Sequence, residues 1–164
     1  MRVTLLVNGR EQTWEVAPGE LLIDTLRGRG YYGVKRGCDT GDCGACAVNV
    51  DGRTVNACVT FTGTAAGGEV LTIEGLASPE DLHPIQEAFI ECGAVQCGFC
   101  TPGMILVAKI FLEENPDPAE ADVRKALGGV LCRCTGYRKP VEAVLAAGKR
   151  MREGSNGAPG NRGG

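Results

Sequence analysis

Apolar and polar residues alternate along the first half of the chain, and this period of two predicts β-strands. Alternation at 3–7 and again at 12–16, joined by Asn8-Gly9, predicts a tight hairpin. A short apolar helix is expected over 21–27, and a second hairpin over 47–59. Strand, strand, helix, strand, strand is the order of a β-grasp sheet.

From about residue 78 the apolar period becomes helical. Four helices are expected, beginning at Ser78-Pro79 or His83-Pro84, at Thr101-Pro102, at Asp117-Pro118 and at Pro140. The fourth is expected to end near Arg150, before a Gly-rich tail that we expect to be disordered. The predicted fold class is therefore α+β. It has a β-grasp domain over 1–77 with a short connector strand near 70–73, a four-helix domain over 78–150 and a tail over 151–164.

Composition and charge exclude several classes of protein. The chain has 164 residues, of which 43% are hydrophobic, enough for packed cores. Its 17 basic and 20 acidic residues leave a net charge of −3, which argues against a nucleic-acid-binding surface. The apolar run 104–112 is interrupted by Lys109 and is too short to span a membrane. The first apolar stretch is too short for a signal peptide, so we expect a cytoplasmic protein without membrane insertion.

Nine cysteines are the most informative part of the composition. In a chain without an export signal, an odd number of cysteines indicates metal ligands rather than a disulfide framework. The first group has the spacing C-x4-C-x2-C-x11-C and comprises Cys38, Cys43, Cys46 and Cys58. Its leading C-x4-C-x2-C matches plant-type ferredoxins, which bind a 2Fe–2S cluster. Zinc is disfavoured here because structural zinc sites usually pair two short C-x2-4-C knuckles.

The loop that carries the first group is rich in glycine. Gly37, Gly41 and Gly44 would let the backbone turn tightly and present N–H groups to an anionic cluster. Cys58 is expected on the return strand of the second hairpin, which can bring it back toward this loop.

The second group has the spacing C-x2-C-x31-C-x-C and comprises Cys97, Cys100, Cys132 and Cys134. Each pair precedes a proline that begins a helix, Pro102 in one case and Pro140 in the other. Two helix N-termini directed at one point would offer free N–H groups to an anionic cluster. Zinc remains the alternative for this group on spacing alone. Two clusters in one small chain would form an electron relay.

Three motifs together resemble a known family: GCDTGDCGAC at 37–46, QCGFCTPG at 96–103 and LCRCTGY at 131–137. The chain is similar over residues 2–150 to the iron–sulfur subunit of the molybdenum hydroxylases. This is the xanthine dehydrogenase family, which includes carbon monoxide dehydrogenases and bacterial aldehyde and N-heterocycle oxidoreductases. With neither a flavin nor a molybdenum domain following, the chain resembles the separate small subunit of multi-subunit members.

The resemblance implies two 2Fe–2S clusters, one in the β-grasp domain and one in the four-helix domain. It implies that electrons pass from molybdopterin in a large partner subunit, through the helical-domain cluster and the ferredoxin-type cluster, to FAD in a medium partner subunit. It also implies that Gln96 hydrogen-bonds the pterin and that Cys134 is the cluster ligand nearest to it. The implied assembly is a dimer of heterotrimers, and no substrate chemistry is expected on this chain.

Two alternatives remain open from the residues. One is a free-standing ferredoxin-like carrier, and the other is a zinc-stapled scaffold protein. His83, the only histidine, is interpreted as a helix cap or surface residue, Cys92 as a partly buried thiol outside both groups, and Trp14 as core. The substrate, whether purine, aldehyde, carbon monoxide or N-heterocycle, is not determined by this sequence.

Overall fold

The first half of the chain forms a five-stranded mixed sheet in the computed structural model, which describes residues 1–78 and 80–156. Its elements are β1 (Arg2–Val7), β2 (Arg10–Glu15), α1 (Leu22–Arg27), β3 (Ala47–Val50), β4 (Arg53–Asn56) and β5 (Glu69–Leu71). The strand order is β2-β1-β5-β3-β4, in which β1 and β5 are parallel and the other neighbours antiparallel. The expected β-grasp order is confirmed.

Left-handed turns fix the register of both hairpins. Asn8 and Gly9 have φ of 50° and 74°, and Asp51 and Gly52 have φ of 48° and 74°. These are the positive φ values that a two-residue type I′ turn requires at both central positions. The β1–β2 register pairs Val7 with Arg10, and the β3–β4 register pairs Val50 with Arg53, so that each loop contains only two residues.

The second half is helical. The helices are α2 (Pro84–Glu91), α3 (Thr101–Glu114), α4 (Glu120–Leu127) and α5 (Arg138–Asn156). The first of them begins at Pro84, so Ser78-Pro79 does not open it. The third begins after Ala119 rather than after Asp117, because the Asp122 carboxylate accepts the Ala119 N–H at 3.3 Å. In this part of the chain no helix is long and apolar enough to cross a membrane.

The fourth helix is longer than expected. It begins at Arg138 and runs to Asn156, so residues 151–156 are helical and the predicted tail is wrong there. Met151 packs against the helical core, and the Arg152 guanidinium lies 3.0 Å from the Asp117 carboxylate. These contacts stabilise helical structure beyond the expected end near Arg150. The remainder of the predicted tail, 157–164, lies outside the described residues.

Each half has its own apolar core. The core of the first half lies between the sheet and α1, and its fully buried side chains include Leu5, Leu22, Ile23, Leu26 and Val48. The core of the second half lies among the four helices, and it includes Phe89, Met104, Leu127 and Val144. Aliphatic side chains dominate both cores, in agreement with the scarcity of aromatic residues in the sequence.

The two halves meet where α3 packs against β3. Asn49, a buried polar residue of β3, donates its side-chain N–H to the Leu106 carbonyl of α3 at 3.3 Å. Closer to the cysteine loops the two backbones nearly touch. A Cβ atom added to Gly103 would lie 2.7 Å from the Gly44 carbonyl oxygen, and one added to Gly44 would lie 2.1 Å from that of Gly129. Only glycine allows this approach.

The side chain of His83 caps α2 and makes the stability of this helix depend on pH. The Nδ1 atom of His83 accepts the Ile85 N–H at 3.2 Å, and the His83 N–H donates to the Gln86 side chain at 3.0 Å. Burial, with Lys109 adding to it, lowers the pKa of His83 from its ordinary 6.5, so the folded chain favours the neutral ring that can accept this hydrogen bond. Its stabilising contribution is complete above pH 6.5 and is lost as the pH falls below that value.

We expect amide exchange in α2, corrected for intrinsic rates, to be faster at pH 5.5 than at pH 7.5. The difference should correspond to the loss of one helix cap, roughly 1 kcal/mol of local stability. The matched control is His83→Asn, which keeps a side-chain acceptor at the cap and does not titrate. An equal acceleration in the variant and the native chain would contradict this role for His83.

Candidate metal centres

The first candidate centre is built on the loop between α1 and β3. Asp39, Gly41 and Gly44 have φ of 59°, 83° and 66°, and these left-handed residues fold the loop around its own cysteines. The N–H groups of Thr40 and Cys43 each lie 3.4 Å from the Cys38 sulfur. Hydrogen bonds from Thr40 and Cys43 lower the pKa of the Cys38 thiol to about 6, so the thiolate that a metal needs is favoured.

Cys46 and Cys58 form the buried side of this centre. Burial raises the pKa of Cys46, and the adjacent Cys58 and Cys43 sulfurs add to that effect. Cys58 does not lie on a strand as expected. Strand β4 ends at Asn56, whose side chain donates to the Gly41 carbonyl at 2.7 Å, and Cys58 follows in a single 3₁₀ turn. That turn brings Cys58 to the other three cysteines of the group.

One glycine leaves room for the sulfur atoms themselves. A Cβ atom at Gly37 would lie 2.7 Å from the Cys43 sulfur, which is closer than van der Waals contact allows. The loop glycine is therefore required by the cysteine beside it, independently of backbone φ. Converging sulfurs, donated N–H groups and a cradle without a side chain fit an anionic 2Fe–2S cluster.

The second candidate centre lies where α3 and the segment before α5 meet. Cys97, Cys100, Cys132 and Cys134 line a cavity of about 350 Å³ together with Phe99, Leu131 and Arg133. Cys100 is the N-cap residue of α3, which begins at Thr101 as expected, and it is buried. Burial, with Cys132 next to it, raises the pKa of Cys100 to about 12. Cys97 and Cys134 are exposed and interact at the mouth of the cavity.

The segment 131–137 is organised by two residues that sequence reasoning did not single out. The Tyr137 hydroxyl accepts the Cys132 N–H at 2.9 Å, and Thr135 Oγ1 lies 3.0 Å from the Cys132 sulfur. Burial raises the pKa of Cys132, but hydrogen bonds from Thr135, Cys134 and Cys100 together outweigh burial, and the net change is downward. Their positions inside the LCRCTGY motif are the only signal in the sequence that could have identified them.

Both sets therefore place four cysteines together, and grouped thiols beside donated backbone N–H groups fit an anionic two-iron cluster. Cys92 ends α2 and packs on the helical core apart from both sets, as expected. Gln96 is exposed beside Cys97.

The two centres are joined through the backbone. The N–H of Leu131, the residue before Cys132, donates to the carbonyl oxygen of Cys43 at 2.8 Å. This hydrogen bond connects a cysteine of the first set to the segment that carries the second set. It lies beside the close approach of Gly44 to Gly129, so the two cysteine segments are in direct contact.

Comparisons with known proteins agree with this architecture. Residues 5–72 match the family described as a 2Fe-2S iron-sulfur cluster binding domain, and residues 72–145 match a 2Fe-2S binding domain. The chain is 48% identical to an aldehyde oxidoreductase of Megalodesulfovibrio gigas over 87% of its length, but it spans only 16% of that protein. It is 41% identical to the xanthine dehydrogenase iron-sulfur-binding subunit of Escherichia coli O157:H7, covering 85% of this chain and 89% of the relative.

A solved structure shares both the fold and the length of the chain. A chain of quinoline 2-oxidoreductase from Pseudomonas putida 86 superposes with a TM-score of 0.89 at 39% identity, covering 94% of this chain and 97% of that one. The match therefore includes both halves and both cysteine sets. The chain belongs to the iron–sulfur small subunits of the molybdenum hydroxylases, the family of xanthine dehydrogenase and aldehyde oxidoreductase, and it is an electron-transfer subunit of an oxidoreductase.

Proposed function

We propose that this chain carries electrons from a molybdopterin centre in a large partner subunit to FAD in a medium partner subunit. Residues 1–77 would hold one 2Fe–2S cluster and residues 78–150 the other. The ligands of the first are Cys38, Cys43, Cys46 and Cys58, and those of the second are Cys97, Cys100, Cys132 and Cys134. Each cluster supplies one-electron chemistry when bound, while the chain sets its distance, burial and hydrogen bonding.

The observation that carries this proposal is the contact between the two cysteine segments. Electron tunnelling falls steeply with the width of the gap and proceeds better through bonds than through empty space. The Leu131 N–H to Cys43 carbonyl hydrogen bond, 2.8 Å long, bridges the segments without an intervening side chain.

The mouth of the second centre supports docking of the large subunit. Cys97 and Cys134 are exposed there, and so are Phe99 and Leu131, which are 46% and 60% accessible. Large apolar side chains at a cluster mouth favour a partner surface that excludes water. Gln96 lies beside Cys97, so we propose that its amide hydrogen-bonds the pterin and that Cys134 is the ligand nearest to it.

The other centre supports docking of the medium subunit. Cys38 lies on the exposed side of the first set. Val59 ends the 3₁₀ turn of Cys58 and Phe61 follows it, and these two side chains are 54% and 52% accessible. The Val59 side chain covers Gly41 of the cysteine loop. We propose that this apolar surface faces the FAD-binding subunit in a cytoplasmic dimer of heterotrimers. The substrate would be selected by the large subunit.

The test is to purify the native complex and analyse its metals and chains. We expect about four irons and four acid-labile sulfides per copy of this chain, and two distinct spin signals after full reduction. Companion chains carrying molybdenum and FAD should co-purify. About two irons, or one spin signal, would contradict the two-cluster assignment. A monomer that still shuttles electrons would instead support a free-standing carrier, and bound zinc would support a scaffold.

A further inference from the structure

A chain of hydrogen bonds ends on the sulfur of Cys132. The Tyr137 N–H donates to Thr135 Oγ1 at 3.1 Å, and Thr135 Oγ1 lies 3.0 Å from Cys132 Sγ. The Thr135 N–H approaches the same sulfur at 3.5 Å. Because Thr135 Oγ1 already accepts from Tyr137, and a metal-bound thiolate has no proton to donate, the hydroxyl proton of Thr135 is directed at the sulfur.

The backbone is bent to make this arrangement. Gly136 and Tyr137 have φ of 60° and 65°, and the left-handed conformation of Tyr137 is costly for a residue with a side chain. The Tyr137 hydroxyl accepts the Cys132 N–H at 2.9 Å and donates to the Val130 carbonyl at 3.1 Å. These contacts hold the turn over Cys132 and keep the Tyr137 N–H aimed at Thr135.

We propose that Thr135 raises the reduction potential of the helical-domain cluster by donating its hydroxyl hydrogen bond to Cys132. The inference rests on the proposed ligation of that cluster by Cys132. Reduction adds one electron, supplied by the preceding centre, and makes the ligand sulfur more negative. A hydrogen bond to that sulfur therefore stabilises the reduced cluster more than the oxidised one. No bond breaks, and the proton stays on Thr135.

The hydrogen bond from Thr135 to Cys132 can also change the reduction potential of one cluster without moving the cluster ligands. The side-chain hydrogen bonds of Thr135 involve Cys132 and Tyr137 and no cysteine of the first set, so a change at Thr135 should leave the ferredoxin-type cluster unchanged. This selectivity separates a tuning role from a general loss of structure, which would affect iron content and both clusters.

The experiment is a redox titration of the purified complex followed by electron paramagnetic resonance, with the two signals first assigned by Cys38→Ser and Cys132→Ser. In Thr135→Val we expect the ratio of reduced to oxidised helical-domain cluster at a fixed potential to fall about tenfold. This corresponds to a reduction potential lower by about 59 mV for one electron. Thr135→Ser keeps the hydroxyl and should titrate like the native chain. Thr101→Val, beside Cys100, is the matched control, since its hydroxyl forms no hydrogen bond to a cysteine in the described residues.

An unchanged potential in Thr135→Val would overturn the proposal, and so would an equal shift in Thr135→Ser. If Thr135→Val does not retain iron, Thr135→Ala is titrated in its place. Loss of the cluster from both, with a normal serine variant, would make Thr135 a residue needed for loading and would also overturn tuning. A native complex without two clusters would instead refute the proposed function, which separates the two failures.

Discussion

Cys100→Ser is expected to leave the chain with about half of its iron and with a single spin signal after reduction. Cys100 is the N-cap of α3, only 7% exposed, and surrounded by the sulfurs of Cys132 and Cys97. A serine hydroxyl is far harder to deprotonate than a thiol, and its oxygen is a harder donor than sulfur, so serine holds iron poorly at this buried position. In the proposed complex we expect that substrate no longer reduces the flavin, since the proposed relay would have lost one of its two centres.

The measurement combines iron content, the spin signals and anaerobic flavin reduction by substrate. Cys132→Ser should give the same result from the other segment of the centre. Cys92→Ser is the matched control, because Cys92 packs on the same helical core and belongs to neither set. Normal flavin reduction in the Cys100 or Cys132 variant would refute the route through the helical-domain cluster.

Gly44→Ala is expected to lower the free energy of unfolding by about 3 kcal/mol or more and to weaken the magnetic coupling between the two clusters. A Cβ atom there would lie 2.1 Å from the Gly129 carbonyl oxygen, which is backbone and cannot rotate away. The residue also has a φ of 66°, which costs a non-glycine residue about 1–2 kcal/mol. Relief requires the cysteine loop to move away from the turn after α4 and to strain the Leu131 hydrogen bond to Cys43.

Thermal unfolding measures the first effect, and magnetic coupling between the two reduced clusters measures the second. Gly52→Ala is the control, since Gly52 has a φ of 74° and nothing within 4 Å of an added Cβ. The Gly52→Ala substitution therefore places a side chain on a left-handed residue but creates no steric clash. Equal destabilisation by the two substitutions, with unchanged coupling, would show that the close approach of the backbones has no energetic weight.

The parts of the fold that local chemistry determines were predictable from the sequence. Asn8-Gly9 and Asp51-Gly52 demand left-handed turns, and these turns set the registers of both hairpins. The position of β5, parallel to β1 on one side and antiparallel to β3 on the other, was not predictable from local patterns, because it depends on contacts between segments far apart in the chain. The end of α5 was missed for a similar reason, since contacts made by Met151 and Arg152 outweigh a Gly-rich composition.

The candidate centres show the same division. Cysteine spacing predicted the four members of each set, but short loops explain only the neighbours within one segment, since Cys58 and the pair Cys132 and Cys134 reach their sets from distant parts of the chain. It did not predict the 3₁₀ turn of Cys58, which depends on the Asn56 side chain reaching Gly41. Nor did it identify Thr135 and Tyr137. Their contacts depend on the left-handed backbone of Tyr137, and a tyrosine side chain gives no indication of that conformation.

The packing of Asn49 on Leu106, with glycine backbones in contact beside it, has a consequence for how such a subunit can diverge. The separation of the two proposed cluster sites is determined largely by main-chain atoms, which substitutions alter little. Side chains at the two exposed mouths can therefore change to suit new companion proteins while the length of the internal electron step is preserved.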